Sequence, residues 1–246
     1  MRVEIFFTPN EIDESVVKGK TMVVIDVLRV STTIAYALYN GCERIIPVES
    51  VEAATNLASS LDRKVTLLCG EKEGKRIDGF DLGNSPLEYS SDVVKGKTAI
   101  IATTNGTRAI AKGRGAKEIL VASFVNLASV AEYTSKVKQS PVMIVCAGKL
   151  GRFSLEDAVC AGMLIERLKD RTDLELNDAA IAAASLFDLN RDSISELLKT
   201  CEHGRYLASI GFSEDLEVCG KVDSLKILPI VKEGRIDKPR RRRGSQ

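Results

Sequence analysis

Seven short runs rich in valine and isoleucine recur along the chain, and segments with a helical pattern separate most of them. The runs lie near residues 2–7, 21–27, 43–48, 64–69, 98–104, 118–123 and 142–147. Continuous apolar runs of this length are typical of strands that are buried on both faces. Segments 31–41, 50–62, 126–139 and 154–170 instead place apolar residues three and four apart, which predicts helices. The alternation predicts an α/β fold, here a three-layer α/β/α arrangement with a mostly parallel or mixed sheet.

The C-terminal third has a different pattern. After about residue 153 one helical segment follows another, and only 216–220 and 225–231 have the composition of strands. We expect a helical flank on the same domain, which would span residues 1–237. The tail 238–246, KPRRRRGSQ, contains four arginines and no apolar residue, so it is expected to be disordered. A nucleic-acid or targeting role for the tail is the weaker alternative.

Charge, hydropathy and cysteine spacing narrow the class of protein. With 35 basic and 34 acidic residues the net charge is +1, which argues against nucleic acid or an anionic membrane as the main partner. No window approaches the roughly 18 apolar residues that span a bilayer, so we expect a cytoplasmic protein. Six cysteines without a CxxC pair predict reduced, buried thiols. The frequency of symmetric dimers among soluble oligomers favours a homodimer.

Polar residues collect where four of the predicted strands end. Segments 26–33, 70–86, 103–108 and 147–157 combine acids, arginines, lysines and glycines, whereas the opposite strand ends carry ordinary turns. In parallel sheets, ligands bind beyond the carboxyl ends of the strands. Arginine and lysine bind phosphate, sulfonate or carboxylate oxygens, and carboxylates beside the same anion bind Mg²⁺. The four loops therefore predict metal-assisted phosphoryl chemistry on a small anionic, phosphorylated substrate.

Some of these polar residues also have a simpler structural interpretation. Asp26 is either a metal-binding or catalytic carboxylate or a helix cap, and Leu28 two residues later disfavours the haloacid-dehalogenase type of aspartyl nucleophile. Asn105 can form a plain turn, and Asp157 can cap its own helix. His203, the only histidine, is expected to be structural, and a single histidine argues against a Ser-His-Asp triad.

The segment CAGKLGR, residues 146–152, has the CxxxxxR spacing of cysteine-dependent phosphatases. In that interpretation Cys146 is the nucleophile and Arg152 binds phosphate. Val145 and Phe153 stand where that signature has His and Ser or Thr, so the match is one of spacing alone. A cysteine-dependent phosphatase and a non-catalytic anion-binding protein stay as alternatives.

Four stretches together resemble the 2-phosphosulfolactate phosphatase family of coenzyme M biosynthesis. They are DVLRVSTT (26–33), GEKEGKRIDGFDLGNSP (70–86), TTNGT (103–107) and CAGKLGRFSLEDAVCAG (146–162), and the resemblance covers roughly residues 1–230. It implies a Mg²⁺-dependent hydrolase that converts 2-phospho-3-sulfolactate to 3-sulfolactate and inorganic phosphate.

The resemblance locates the motifs, and the role of each residue is a hypothesis from its chemistry. The acids expected to act in catalysis are Asp26, Asp81 and Glu156; the same three with Asp157 are the expected Mg²⁺ ligands. Asp81 lies in a connection of more than about 12 residues, a length that is usually functional or disordered. The residues expected to bind the substrate are Arg29, Asn84, Ser85, Thr104, Asn105, Arg108, Lys149 and Arg152.

Overall fold

A computed structural model describes residues 1–137 and 140–239. Residues 240–246, most of the tail expected to be disordered, lie outside the described residues. The strands are β1 (Arg2–Phe6), β2 (Thr21–Ile25), β3 (Arg44–Val48), β4 (Thr66–Lys72), β5 (Lys75–Arg76), β6 (Thr98–Ala102), β7 (Glu118–Ala122), β8 (Val142–Cys146), β9 (Glu175–Leu176), β10 (Ile230–Lys232) and β11 (Arg235–Asp237). The helices are α1 (Glu14–Val17), α2 (Val30–Tyr39), α3 (Val51–Ser59), α4 (Ser91–Val94), α5 (Gly106–Lys112), α6 (Leu127–Thr134), α7 (Leu155–Lys169), α8 (Asp178–Asn190), α9 (Ile194–Thr200), α10 (Glu202–Ser209) and α11 (Ser213–Cys219).

The strands form one mixed sheet in the order β5-β4-β6-β3-β11-β10-β7-β2-β8-β1-β9. Strands β4, β6 and β3 are parallel to one another, as are β7, β2, β8, β1 and β9. The C-terminal hairpin β10–β11 joins the two parallel groups through antiparallel pairs with β7 and β3. The predicted α/β fold and its seven central strands are confirmed.

Strand β2 shows how the sheet is covered on both faces. Val23 and Ile25 pack into the apolar cluster that contains α7 and α8, whereas Met22 and Val24 pack into the cluster that contains α2. Successive side chains of a strand point to opposite faces, so full burial of this strand requires helices on each side of the sheet. All five residues of β2 are buried, as expected for the central layer of three.

The structure corrects one of the two late strand predictions. Residues 216–220 lie in and just after α11, because Leu216 and Cys219 are three apart and buried while Glu217 between them is exposed. Acids in the first turn of α11 also favour a helix there. The second candidate, 225–231, contributes only its last two residues to β10, after Pro229, which has no N–H for a strand ladder.

Each of the six cysteines is free and buried. Within the part of the chain that the structure describes, no helix is long and apolar enough to cross a bilayer.

Candidate active site

The four polar loops meet in one cleft of about 550 Å³ at the carboxyl ends of β2, β4, β6 and β8. Helix α10, from the C-terminal flank, supplies one more wall. The lining residues are Asp26, Leu28, Arg29, Glu71, Lys72, Glu73, Gly74, Asn84, Thr103, Thr104, Asn105, Lys149, Leu150, His203, Tyr206 and Leu207. Two larger cavities of about 930 and 840 Å³ flank the β10–β11 hairpin and contain none of the predicted site residues. The chemistry therefore places the site in the smaller cleft.

Asp26 lies directly after β2, on the floor of the loop that leads to α2. Its main-chain N–H donates to Ser31 Oγ at 2.9 Å, and the Ser31 N–H donates to the Asp26 carbonyl at 2.9 Å. Its side chain lines the cleft although the residue is only 6% exposed. Burial raises the pKa of Asp26 to about 7; His203 opposes this rise, and Glu71 and Glu156 add to it. A cation bound in the cleft would stabilise the Asp26 anion and so lower this pKa further.

Glu71, near the end of β4, is a cleft residue that the site prediction left out. Its Oε1 accepts from the N–H and the hydroxyl of Thr104, both at 3.1 Å, and its Oε2 accepts from the Gly74 N–H at 2.7 Å. These bonds tie the β4–β5 turn to the loop after β6. The available signal was its position, since Glu71 follows an apolar strand core as Asp26 follows β2.

Asp81 takes a different place from the one expected. The chain turns back after β5, so that the Asp81 N–H donates to the Leu68 carbonyl at 2.8 Å and Leu82 pairs with Cys69. The Asp81 carboxylate then accepts from the Leu68 N–H at 2.7 Å and from Arg63 at 2.8 Å. Asp81 does not line the cleft. The structure therefore does not bring Asp81 together with the cleft residues, because the loop returns it along β4 instead of leaving it at the strand end; its metal-binding and catalytic role stays a prediction.

Glu156, at the start of α7, is 2% exposed and lies behind His203. Its Oε1 is 3.3 Å from His203 Nδ1. Burial raises the pKa of Glu156, but His203, Ser154 and a main-chain hydrogen bond together outweigh burial and leave the pKa below its ordinary value. His203, expected to be structural, lines the cleft three residues before Tyr206 on the same helix. The helical spacing of this polar pair is the feature that could have identified it.

Asp157 holds two loops together. Its Oδ1 accepts from the Val27 N–H at 2.8 Å and its Oδ2 accepts from the Gly148 N–H at 3.1 Å. Burial, with Glu156 and Asp26 nearby, raises its pKa well above the ordinary value. Both oxygens accept from main-chain amides of neighbouring loops, and Asp157 does not line the cleft, so it joins these loops in this structure; its expected metal-ligand role stays a prediction.

Arg29 lines the cleft but its guanidinium is engaged by the protein. Nη1 donates to Asp215 Oδ2 at 2.7 Å, and both side chains are 2% exposed. Nη2 donates to the Gly74 carbonyl at 2.5 Å, and the guanidinium lies 4.3 Å from the centre of the Phe212 ring. Ser85 Oγ donates to the other Asp215 oxygen at 2.6 Å, outside the cleft. Arg29 and Ser85 are thus held by Asp215, which fixes the loops around the cleft.

Four other predicted ligands lie at the cleft. Asn84 is 6% exposed, and its Oδ1 has no hydrogen-bond partner among the described residues. Thr104 carries the bonds to Glu71, and Asn105 Oδ1 accepts from the Leu150 N–H at 3.1 Å. Lys149 Nζ lies 3.2 Å from Glu202 and 4.9 Å from the centre of the Tyr206 ring.

The last two predicted ligands lie beside the cleft instead of in it. Arg108 donates to Asn10 at 3.3 Å and lines an adjoining cavity of about 350 Å³ that shares Glu71 and Thr104 with the cleft. Arg152 is exposed, and its main chain pairs with that of Lys149 across a tight turn. Neither residue lines the cleft in this structure, and their expected role in substrate binding stays a prediction.

The carboxylates of the cleft fit a magnesium ion. In residues 1–137 and 140–239, no three His, Cys, Asp or Glu side chains form a ready-made metal cluster. Mg²⁺ needs no such cluster, because one or two carboxylates, waters and substrate phosphate oxygens usually complete its shell. Asp26 and Glu71 provide two carboxylates whose like charges repel each other. A divalent cation between such groups would stabilise both anions.

Cys146 has the wrong surroundings for a nucleophile. It is fully buried and does not line the cleft. Burial raises the pKa of the Cys146 thiol well above its ordinary value, and Asp157 raises it further. Nucleophilic cysteines have a lowered pKa and an accessible sulfur, so the structure disfavours the cysteine-dependent alternative.

Comparison with known proteins gives one consistent result. The family model described as 2-phosphosulpholactate phosphatase matches residues 6–234. The chain is 42% identical over 234 residues to a protein of Caldanaerobacter subterraneus subsp. tengcongensis, covering 95% of this chain and 97% of that relative. It is 42% identical over 237 residues to one of Clostridium acetobutylicum, covering 96% and 100%. It is 43% identical over 222 residues to one of Thermotoga maritima, covering 89% and 92%.

All three relatives carry the name "Probable 2-phosphosulfolactate phosphatase". The matched region includes every strand from β2 to β10 and all four loops of the cleft. The chain belongs to the 2-phosphosulfolactate phosphatase family.

Proposed function

We propose that the protein is a Mg²⁺-dependent phosphatase that hydrolyses 2-phospho-3-sulfolactate to 3-sulfolactate and inorganic phosphate. The observation that carries this proposal is the buried Asp26 carboxylate in the same cleft as Glu71, a cleft built by four strand-end loops. The names of the relatives support the reaction and the substrate. The magnesium requirement rests on the donor chemistry of the cleft.

Asp26 and Glu71 are the residues that would hold Mg²⁺. When bound, the ion supplies positive charge to the phosphoryl oxygens and lowers the repulsion that an incoming water meets. Thr104 positions Glu71 through two hydrogen bonds. The buried Asn84 Oδ1 has no partner within the part of the chain that the structure describes, so a substrate or water donor would satisfy it.

The substrate carries a carboxylate and a sulfonate besides its phosphate. Lys149 lines the cleft with its ammonium above the Tyr206 ring, and Lys72 lies at the other side of the same cleft. Their cationic groups can pair with the two acid groups of the substrate. Glu202, the protein partner of Lys149, is 82% exposed, so the existing pair is weak and a ligand anion can replace it.

Phosphate release from 2-phospho-3-sulfolactate, with excess EDTA and with added Mg²⁺, tests the proposal directly. We expect release only with Mg²⁺, and a faster reaction on this substrate than on 2-phospholactate, which lacks the sulfonate. Asp26→Asn and Glu71→Gln should each lower kcat by about 100-fold or more, since a metal interaction contributes several kcal/mol. The matched control is Asp78→Asn, an exposed acid of the same segment outside the cleft.

Three results would contradict the proposal in different ways. If phosphate release were undiminished in EDTA, the reaction would not require magnesium. If Cys146→Ser then lost this EDTA-resistant release, the cysteine-dependent mechanism would be supported. Binding of the substrate without turnover at any Mg²⁺ concentration would indicate an anion-binding protein. The homodimer and the cytoplasmic location stay predictions.

A further inference from the structure

We propose that His203 is a catalytic residue that protonates the leaving oxygen of the phosphate ester, and that Glu156 is the positioning residue that holds its ring. This inference rests on the proposed phosphatase function and assigns the cleft its acid. It gives a role to the one histidine of the chain and to a fully buried carboxylate that the magnesium site does not use.

The position of His203 is fixed by the packing of α10. An ideal Cβ on Gly204 would lie 1.6 Å from the Leu198 carbonyl oxygen, so only glycine permits this approach of α10 to α9. The Gly204 N–H donates to Cys201 Sγ at 3.3 Å, which anchors the first turn. His203 is therefore held at the cleft by its main chain on one side and by Glu156 on the other.

The contact with Glu156 selects the ring nitrogen that can act. Glu156 faces Nδ1 at 3.3 Å, so Nε2 is the nitrogen left for a ligand in the cleft. A buried carboxylate behind the ring fixes the orientation of the imidazole, as in other carboxylate-histidine pairs.

The neighbours of His203 identify which substrate atom it faces. Asp26 lines the same cleft as His203, and the phosphate would be bound there beside its carboxylate. Tyr206 follows one helical turn later on α10 and lines the cleft with Lys149 above its ring, and the organic acid would be bound there. The bridging oxygen joins these two parts of the substrate, so it lies next to His203.

The proton balance of the step is complete with water as the only co-reactant. The water oxygen forms the new bond to phosphorus while the bond from phosphorus to the bridging oxygen breaks, its electron pair staying on that oxygen. The Nε2 proton moves to the oxygen and gives the free hydroxyl of the product. One water proton remains on the phosphate, and the other returns the imidazole to its protonated form through solvent.

A leaving-group comparison tests this role. The two substrates are 2-phospho-3-sulfolactate and its analogue with sulfur in place of the bridging oxygen, because a thiolate leaves without a proton. His203→Asn should lower kcat on the oxygen ester by about 10²–10⁴-fold, with KM changed less than about threefold, and should stay within about tenfold of wild type on the sulfur ester. Glu156→Gln should show the same selectivity with a smaller loss. Ser209→Ala, an exposed residue of α10, is the matched control.

The inference is overturned if His203→Asn loses the same factor on both esters, or loses nothing on the oxygen ester. Added imidazole should restore part of the kcat of His203→Ala on the oxygen ester, which a structural role of the side chain would not allow. If His203→Asn does not fold, Glu156→Gln and this rescue decide the question. A wild-type protein that releases no phosphate from the oxygen ester would refute the proposed function itself.

Discussion

Removing one charge from the buried Arg29–Asp215 pair should lower the free energy of unfolding far more than removing one charge from a surface ion pair. Asp215→Asn leaves the Arg29 guanidinium without its counter-ion in a place where both side chains are 2% exposed. Breaking such a buried pair from one side typically costs about 3–5 kcal/mol, since the remaining charge is desolvated without compensation. Ser85 also loses an anionic acceptor, now at 2.6 Å. We expect a loss of this size in the free energy of unfolding.

The same substitution should lower activity in the protein that stays folded. Arg29 donates to the Gly74 carbonyl at 2.5 Å, and the Gly74 N–H donates to Glu71 at 2.7 Å. An Arg29 side chain that loses Asp215 no longer holds this turn in place. Glu71 then shifts away from Asp26, so kcat should fall and the Mg²⁺ concentration needed for half-maximal rate should rise.

Urea unfolding followed by circular dichroism measures the stability effect, with Asp188→Asn as the control. Asp188 pairs with Arg191 at 2.7 Å, but the two side chains are 56% and 51% exposed. An exposed pair contributes about 0–1 kcal/mol. A cost for Asp215→Asn no larger than that of the control would refute the account of Arg29 as a buried, paired charge. Arg29→Met with Asp215→Leu should recover much of the loss, because no charge is then left unpaired.

Substitutions at Asp26, Gly204 and Cys146 should each change a measurable property of the protein. Burial raises the pKa of Asp26 from 3.8 to about 7, so the metal-free folded state loses up to about 4 kcal/mol as pH rises between these values. We therefore expect the free energy of unfolding of Asp26→Asn, relative to wild type, to be about 3 kcal/mol higher at pH 8 than at pH 5. Urea titrations with EDTA measure this difference, and a difference that does not change with pH would contradict the prediction. Gly204→Ala should lower the melting temperature and kcat together, since the new Cβ collides with the Leu198 carbonyl. Cys146→Ser should lower stability by about 1–3 kcal/mol through a buried hydroxyl and leave kcat near wild type.

The central strands could be predicted because local pattern and global position agree. Strand β2 is apolar at every position from 21 to 25 and is buried on both faces, so its sequence has only one good environment. Residues 216–220 show the opposite case, because Val218 and Cys219 favour a strand while the spacing of Leu216 and Cys219 fits a helix face. There the packing of the C-terminal flank decides, and no local rule contains that information.

The meeting of four loops could be predicted, but the acid that faces the cleft could not. Glu71 and Asp81 both belong to the segment 70–86 that follows β4. The Gly70 N–H donates to the Leu82 carbonyl at 3.0 Å, so the chain doubles back along β4 and carries Asp81 away from the strand end. Glu71 precedes this reversal and stays at the cleft. The direction of a long loop depends on tertiary hydrogen bonds, which spacing along the chain does not encode.

Polar groups in the loops at the carboxyl ends of strands have two different tasks, which residue type alone does not distinguish. Some tie neighbouring loops to each other, as Asp157 does with two main-chain amides and Asp81 does with Arg63 and Leu68. Others must keep free capacity for the ligand, and these are recognisable only by what they lack. Among residues 1–137 and 140–239, Asn84 Oδ1 has no partner, and the pKa of Asp26 is raised by burial and by the like charges of Glu71 and Glu156. A buried polar group without a hydrogen-bond or charge partner lowers stability. The presence of such a group at a cleft is therefore a better indication of function than the type of residue that carries it.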